Sequence, residues 1–203
     1  MNFYNYIYRP IQDCISILLK KKNFKIQISN FLNKKKYKEI HEIGCSDGIL
    51  VPFLNLKETN YFGYDIDQVN INRAKKKFKN YKNINFYKKS IDNILIKNKK
   101  KKIFLLIGVF HHLSDDKILR FLKKLSPKDH VIALDPFFHK KLNIIGYLMK
   151  KMDRGKHIRT YNSYKKILSQ FIFKKKISYY LRFYSHLLSF KNINKQQLKI
   201  YFN

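Results

Sequence analysis

A short apolar strand that ends on an acid and runs straight into a turn of small residues, Glu42-Ile43-Gly44-Cys45-Ser46-Asp47-Gly48, constrains this chain most. Seventeen residues past Gly48 a second apolar strand closes on Asp65, within Tyr61-Phe62-Gly63-Tyr64-Asp65-Ile66-Asp67. A turn of Gly, Cys, Ser and Gly lets a ligand approach the backbone and the N–H groups that open the next helix. A carboxylate at the end of the following strand suits a ribose diol, because it accepts hydrogen bonds from both hydroxyls. The pair reads as a site for a nucleoside-bearing cofactor. The pattern predicts a helix from Asp47 to Leu56, with Ile49, Leu50, Phe53 and Leu54 on its buried side.

Strands and helices then alternate. Strands are expected at 39–43, 60–65, 83–88, 102–109 and 129–135, the fourth apolar enough to be buried on both faces. Helices are expected at 68–79, with Val69, Ile71, Ala74 and Phe78 facing in, and at 115–125, with Ile118, Leu119, Leu122 and Leu125 facing in. A short helix is expected at 91–96, and Asp67 reads as an N-cap. Such alternation specifies an α/β fold with right-handed crossovers. It brings Glu42, Asp65, Ser90 and Phe110–His112 to the carboxyl ends of parallel strands, where open α/β sheets bind ligands. One or two amphipathic helices are expected within 10–32, and the aromatic residues of 1–9 read as packing. Past Phe137, helices at 142–152 and 161–171 precede a closing antiparallel pair, 177–183 and 186–190.

A chain of 203 residues is most simply one domain. The longest apolar run, Ile103 to Phe110, is far short of the ~20 residues that span a bilayer. No stretch reads as a signal peptide, so a reducing cytoplasm is the expected compartment. Cys14 and Cys45 make neither a disulfide framework nor a metal site, and no metal is expected. The net charge of +31 comes from 38 Lys and only 6 Arg, scattered in runs such as Lys34–Lys36, Lys75–Lys77 and Lys174–Lys176. Recognition of phosphate favours Arg as well, so these runs read as solvated faces. Non-specific contact with a polyanion or an anionic membrane follows from the charge alone.

Three readings of the turn compete. A dinucleotide site calls for G-x-G-x-x-G, and this turn lacks the second Gly. Gly44-Cys45-Ser46-Asp47-Gly48 matches the nucleophile elbow of α/β-hydrolases literally, with Asp135 and His157 following in triad order. Only about forty residues precede Ser46, however, and no oxyanion-hole stretch is among them. The third reading covers more of the chain. E-x-G-x-S-x-G followed by G-x-D-I-D resembles motifs I and II of the class I S-adenosylmethionine-dependent methyltransferases. Downstream, Asn85 to Asp92, the Ile107-Gly108-Val109-Phe110-His111-His112-Leu113 segment and Val131 to Phe137 are similar to the segments around strands three, four and five of that family.

The resemblance implies a Rossmann-like fold: a mostly parallel seven-stranded sheet with an antiparallel C-terminal strand and helices on both faces. It implies one domain over 1–203, with a helical cap at 1–37, a cofactor-binding core at 38–137, and substrate-side helices and closing strands at 138–203. S-adenosyl-L-methionine is the implied cofactor. Gly44, Cys45, Ser46 and Gly48 would form the turn beside its methionine part, Glu42 would orient its amino group, and Asp65 would take the ribose hydroxyls. Ile66 would pack on adenine, with Ser90, Ile91, Gly108 and Phe110 completing the contacts. The family's acid after strand three is replaced here by Ser90, with Asp92 two places on, so adenine recognition rests on Ser90, on Asp92 or on backbone.

Methyl transfer asks the protein to align an acceptor and, where needed, to remove a proton. His111 and His112 follow strand four, beside the expected methyl group; either serves as base, or it simply packs in the turn. Met152-Asp153-Arg154-Gly155-Lys156-His157-Ile158-Arg159 is similar to a segment of small bacterial methyltransferases associated with polysaccharide or secondary-metabolite gene sets. Arg154, His157 and Arg159 would bind an anionic acceptor, or else tie this segment to acidic partners on the core. The resulting expectation is O-methylation of a small molecule. The alternatives are an RNA methyltransferase and a non-catalytic member that binds cofactor or a partner protein.

Overall fold

The computed structural model describes residues 24–35, 37–96, 102–138, 155–169, 173–180 and 184–193. The expectations for residues 1–9, for the first part of the N-terminal helices, for helix 142–152 and for Arg154 lie outside these residues.

One sheet organises the chain. Its strands are β1 (Glu39–Ile43), β2 (Asn60–Asp65), β3 (Ile84–Lys88), β4 (Ile103–Ile107), β5 (His130–Phe138), β6 (Arg159–Thr160), β7 (Phe173–Tyr180) and β8 (Tyr184–Lys191). They lie in the order β3-β2-β1-β4-β5-β8-β7, with two-residue β6 added beside the end of β5. β8 runs antiparallel to both neighbours, and every other described pairing is parallel. This is the Rossmann-like arrangement expected, with one antiparallel strand near the C-terminus. The order reverses between β1 and β4, which places a ligand crevice at the carboxyl ends of those strands.

Side chains of successive strand residues point to opposite faces, and both faces are apolar. In β4, Ile103 and Leu105 join a core with Ile28, Phe31 and Leu32 of α1 (Phe24–Lys35) and with Ile71 and Ala74 of α2 (Gln68–Lys77). Phe104 and Leu106 join the opposite core, with Ile118, Phe121 and Leu122 of α3 (Asp115–Lys124) and Tyr164, Ile167 and Leu168 of α4 (Tyr161–Leu168). Among the described residues, no helix is long and apolar enough to cross a membrane.

Two expectations are corrected. Residues 46–50 form turns, followed by a 3-10 turn at Val51–Phe53, where an α-helix from Asp47 to Leu56 was expected. Ser46 (φ 51°) and Gly48 (φ 77°) are left-handed, which an α-helix does not admit, and Pro52 disfavours α geometry at Val51. Leu50 is buried as expected, but Phe53 is 44% exposed. Val69 is 57% exposed where it was expected to face in: two places before Ile71, it sits about 200° round the helix from the buried stripe of Ile71, Ala74 and Phe78. β6 was not anticipated; two residues carry no period.

Candidate active site

The first turn and the end of β2 are tied together by backbone. The Gly44 and Cys45 N–H groups both donate to the Tyr64 carbonyl, at 2.7 and 3.1 Å. The left-handed Ser46 aims its N–H at Asp65 Oδ2, 2.8 Å away, while the Asp67 N–H donates to Asp65 Oδ1 at 2.9 Å. Asp65 therefore clamps the turn, and each oxygen keeps further acceptor capacity. Gly44 has φ 71°, and a Cβ there would lie 2.8 Å from Val109 Cγ2. Only glycine lets β1 turn this close to the segment after β4. Asp67 caps α2 as expected, accepting from the N–H groups of Val69 and Asn70.

Glu42, the next-to-last residue of β1, is 6% exposed and accepts a hydrogen bond from the Tyr61 hydroxyl. Burial pushes its carboxyl up to about 7, against the Tyr61 hydrogen bond and the charge of Lys25. Cys45 is buried beneath the turn, and burial pushes its thiol well above the ordinary range. Ile66, at the mouth of the crevice, is 73% exposed. Past β3, Ser90 precedes a 3-10 turn whose Ile91 is buried. Asp92 turns towards α3, 3.8 Å from Lys117 and 3.6 Å from Arg120, so of the two candidate adenine contacts its carboxylate is the one already engaged.

After β4, Gly108 (φ 68°) donates to the Leu134 carbonyl and opens a 3-10 turn over Phe110–His112. Phe110 is buried in the core, His111 is buried and His112 is exposed; the two imidazole centroids are 4.1 Å apart. His111 faces Asp135, which is 2% exposed: Nδ1 lies 2.9 Å from Oδ1, and the His111 backbone N–H donates to the same oxygen at 3.1 Å. Burial raises the Asp135 carboxyl above the usual carboxylate range, with the His111 contacts opposing.

The segment from Gly155 folds over this turn. A Cβ at Gly155 would collide with the His111 ring, and the His157 N–H donates to the His111 carbonyl at 2.8 Å while the His157 side chain stays exposed. Arg159 is buried and makes four hydrogen bonds, Nε to Asp115, Nη1 to the carbonyls of Phe110 and His157 and Nη2 to that of Leu113, while Nη2 also lies 2.6 Å from Asp115 Oδ1. As placed, Arg159 spends its hydrogen bonds on Asp115 and on the carbonyls of Phe110, Leu113 and His157, and so ties the segment to the core. Asp135 contacts His111 and not His157, so the order Ser46, Asp135, His157 does not assemble as a triad. Among the described residues no His, Cys, Asp and Glu cluster could hold a metal.

Sequence reasoning missed the partnership of Asp135 with His111. The signal was available: β4 and β5 are neighbours in register, Ile107 beside Leu134, so an acid following Leu134 arrives next to the turn after β4.

Residues 40–127 match a family model described as a methyltransferase domain. The sheet order agrees with that match. Residues 40–127 are similar to a methyltransferase domain.

Solved structures agree on the fold. The chain superposes on human N-acetylserotonin methyltransferase in complex with SAM with a TM-score of 0.60 and 14% identity, covering 94% of this chain and 58% of that one. A SAM-dependent methyltransferase from Aquifex aeolicus gives a TM-score of 0.58 and 16% identity, over 88% of this chain and 97% of that one. The mitomycin 7-O-methyltransferase MmcR gives 0.62 and 11% identity, over 83% and 53%. The chain thus spans little more than half the length of the human and mitomycin enzymes. No curated protein sequence matches it significantly.

Proposed function

We propose that the chain, acting as a single methyltransferase domain in the cytoplasm, transfers a methyl group from S-adenosylmethionine to an oxygen of a small-molecule acceptor of saccharide or secondary-metabolite type. The residues fit that cofactor. Asp65 has acceptor capacity left for the ribose hydroxyls, Glu42 supplies a buried acid towards the amino group, and exposed Ile66 offers an apolar surface for adenine. Gly44, Cys45, Ser46 and Gly48 form the turn beside the methionine part. Ser90, Ile91, Gly108 and Phe110 complete the contacts, Phe110 through its backbone because its ring lies in the core.

When bound, the cofactor supplies an activated methyl group that the acceptor oxygen displaces from sulfur. The protein then has to place the oxygen and receive its proton, and we assign the proton to the His111–His112 turn. His157 and the exposed surface around it form the acceptor side, to which Arg154 is assigned from the sequence alone; Arg159 supports that side from within. The acceptors named for the human and mitomycin enzymes are also small molecules. The observation that carries the reading is the clamp of Asp65 on the left-handed turn at Ser46.

Calorimetric titration with S-adenosylmethionine and S-adenosylhomocysteine tests it. The expected result is binding in the micromolar range, ~−8 kcal/mol, for the wild type. Asp65→Asn, which weakens charge-assisted bonds of ~1.5–3 kcal/mol each, is expected to bind at least tenfold more weakly. Absence of binding by a folded wild type overturns the reading. The charge of +31 favours a second reading, an RNA acceptor, and a non-catalytic binder is what intact cofactor affinity without turnover on any acceptor would leave.

A further inference from the structure

The acid near the end of β1 does not stand alone. Glu42 is 6% exposed, and the fully buried Tyr61 donates its hydroxyl to Oε2. The two side chains come from neighbouring parallel strands, Ile40 lying beside Tyr61 and Glu42 beside Gly63, so the tyrosine reaches along the sheet towards the carboxyl ends. We propose that Tyr61 is a positioning residue of the cofactor site, holding Glu42 by Oε2 so that Oε1 meets the amino group of the cofactor. The proposal rests on the methyltransferase reading above and adds to it the group that aims the acid.

The surroundings of Glu42 argue for that direction. Residues two apart on a strand share a face. On the core side of Glu42 that face continues to Ile40, packed in one cluster with Tyr61. On the crevice side the corresponding position is Gly44, exposed and without a side chain, at φ 71° in the turn. Buried Leu105 lies beside Glu42 on β4. On β2 its neighbour is Gly63, where a Cβ would lie 2.7 Å from Phe86 and 2.8 Å from Cys45 Sγ. The carboxyl is thus walled by apolar groups on both flanks, tied from the core side by Tyr61 and left open towards the turn. Among the described residues no other donor reaches it.

The electrostatics make the tie matter. Burial pushes the Glu42 carboxyl up to about 7; the Tyr61 hydrogen bond opposes that rise most, the charge of Lys25 opposes it next, and Asp65 adds to it. Lys25 is exposed on α1, so solvent screens it, whereas the Tyr61 hydroxyl acts in a dry interior. Cys45, the remaining titratable group facing Glu42, has its thiol pushed up by burial and by the charges of Glu42 and Asp65. The Tyr61 hydroxyl is itself pushed well above its ordinary value by burial, so it stays a donor while Glu42 titrates. Without that donor Glu42 keeps its proton to higher pH and offers a neutral group to an ammonium.

Calorimetry with two ligands tests this without an acceptor: S-adenosylhomocysteine, and its deamino analogue in which hydrogen replaces the amino group. The ratio of the two affinities measures the preference for the amino group. In the wild type this preference is expected to rise with pH through about 7, as Glu42 ionises. Tyr61→Phe is expected to weaken S-adenosylhomocysteine about tenfold at neutral pH, to leave the analogue within about twofold, and to move the midpoint of the preference to higher pH. In Glu42→Gln, where the side chain does not titrate, adding Tyr61→Phe is expected to change the preference no further. A loss shared equally by both ligands, or a midpoint that stays in place, overturns the proposal, because a tyrosine that only packs would behave that way. If Tyr61→Phe does not fold, the wild-type sequence made with 3-fluorotyrosine, whose hydroxyl is the stronger donor, is expected to move the midpoint down; an unmoved midpoint overturns the proposal there too. Failure of the wild type to bind S-adenosylhomocysteine at all overturns the methyltransferase reading, whereas failure of this proposal leaves that affinity in place.

Discussion

Glu42 is the residue at which stability and ligand binding pull against each other. Its carboxyl is raised by burial from 4.5 to about 7, so the folded chain keeps a proton that the unfolded chain releases between those values. The sign follows: stability from this group is fully present below pH ~4.5, falls as pH rises towards 7, and is flat above. Over about 2.5 pH units the loss is about 3 kcal/mol at most. Glu42→Gln keeps an acceptor for the Tyr61 hydroxyl and removes the titration. It is expected to be more stable than the wild type at pH 8 and equal to it at pH 4.5, read by urea denaturation. The same variant is expected to bind S-adenosylmethionine more weakly above pH 7, because the ionised carboxylate is what pairs with the cofactor's ammonium. Equal pH profiles for the two proteins would refute the buried, proton-holding state of Glu42.

At the scale of elements, the segment 155–160 acts as a strap across the turn after β4. β6 lays it beside the end of β5, and Arg159 fastens it to the carbonyls of Phe110 and Leu113 on the far side. Arg159→Lys keeps the charge but replaces a planar fork of five donors by three on a point. It is expected to cost about 2–4 kcal/mol, because buried carbonyls and Asp115 lose partners. Denaturant titration reads that cost; a loss below about 0.5 kcal/mol, the range of an ordinary surface substitution, would mean the strap is not held by this residue. The strap also marks where sequence reasoning ends. Strands β1 to β5 were legible because each is a short apolar run between polar turns, and the placement of Asp65 and His111 at the carboxyl ends of β2 and β4 was legible because parallel strands end together. The direction in which Arg159 points was not legible, since an arginine in a polar segment reads the same whether it faces solvent or clamps a turn. Nor was the absence of the helix after Gly48, where apolar spacing was good and left-handed backbone at Ser46 overrode it.

For the whole molecule, the charge of +31 is the property most open to misreading. The lysines at the ends of α2, α3 and α4 are exposed on the outer faces of those helices, spread round both sides of the sheet. Such a surface is expected to bind RNA with an affinity that falls steeply between 50 and 200 mM salt and does not differ among sequences. Retained affinity for one RNA at 200 mM salt, measured by filter binding, would favour a nucleic-acid acceptor over a small molecule. The sheet itself has a consequence in time. β5 is central in space, yet its second full-length neighbour, β8, is encoded some fifty residues after it, whereas β4 precedes it at once. A ribosome releasing this chain therefore presents, for several seconds at ordinary elongation rates, an apolar strand with one edge uncovered. Through that interval the nascent chain depends on chaperones or on dilution to avoid pairing with its neighbours, and a chain cut before β8 would keep the exposed edge permanently.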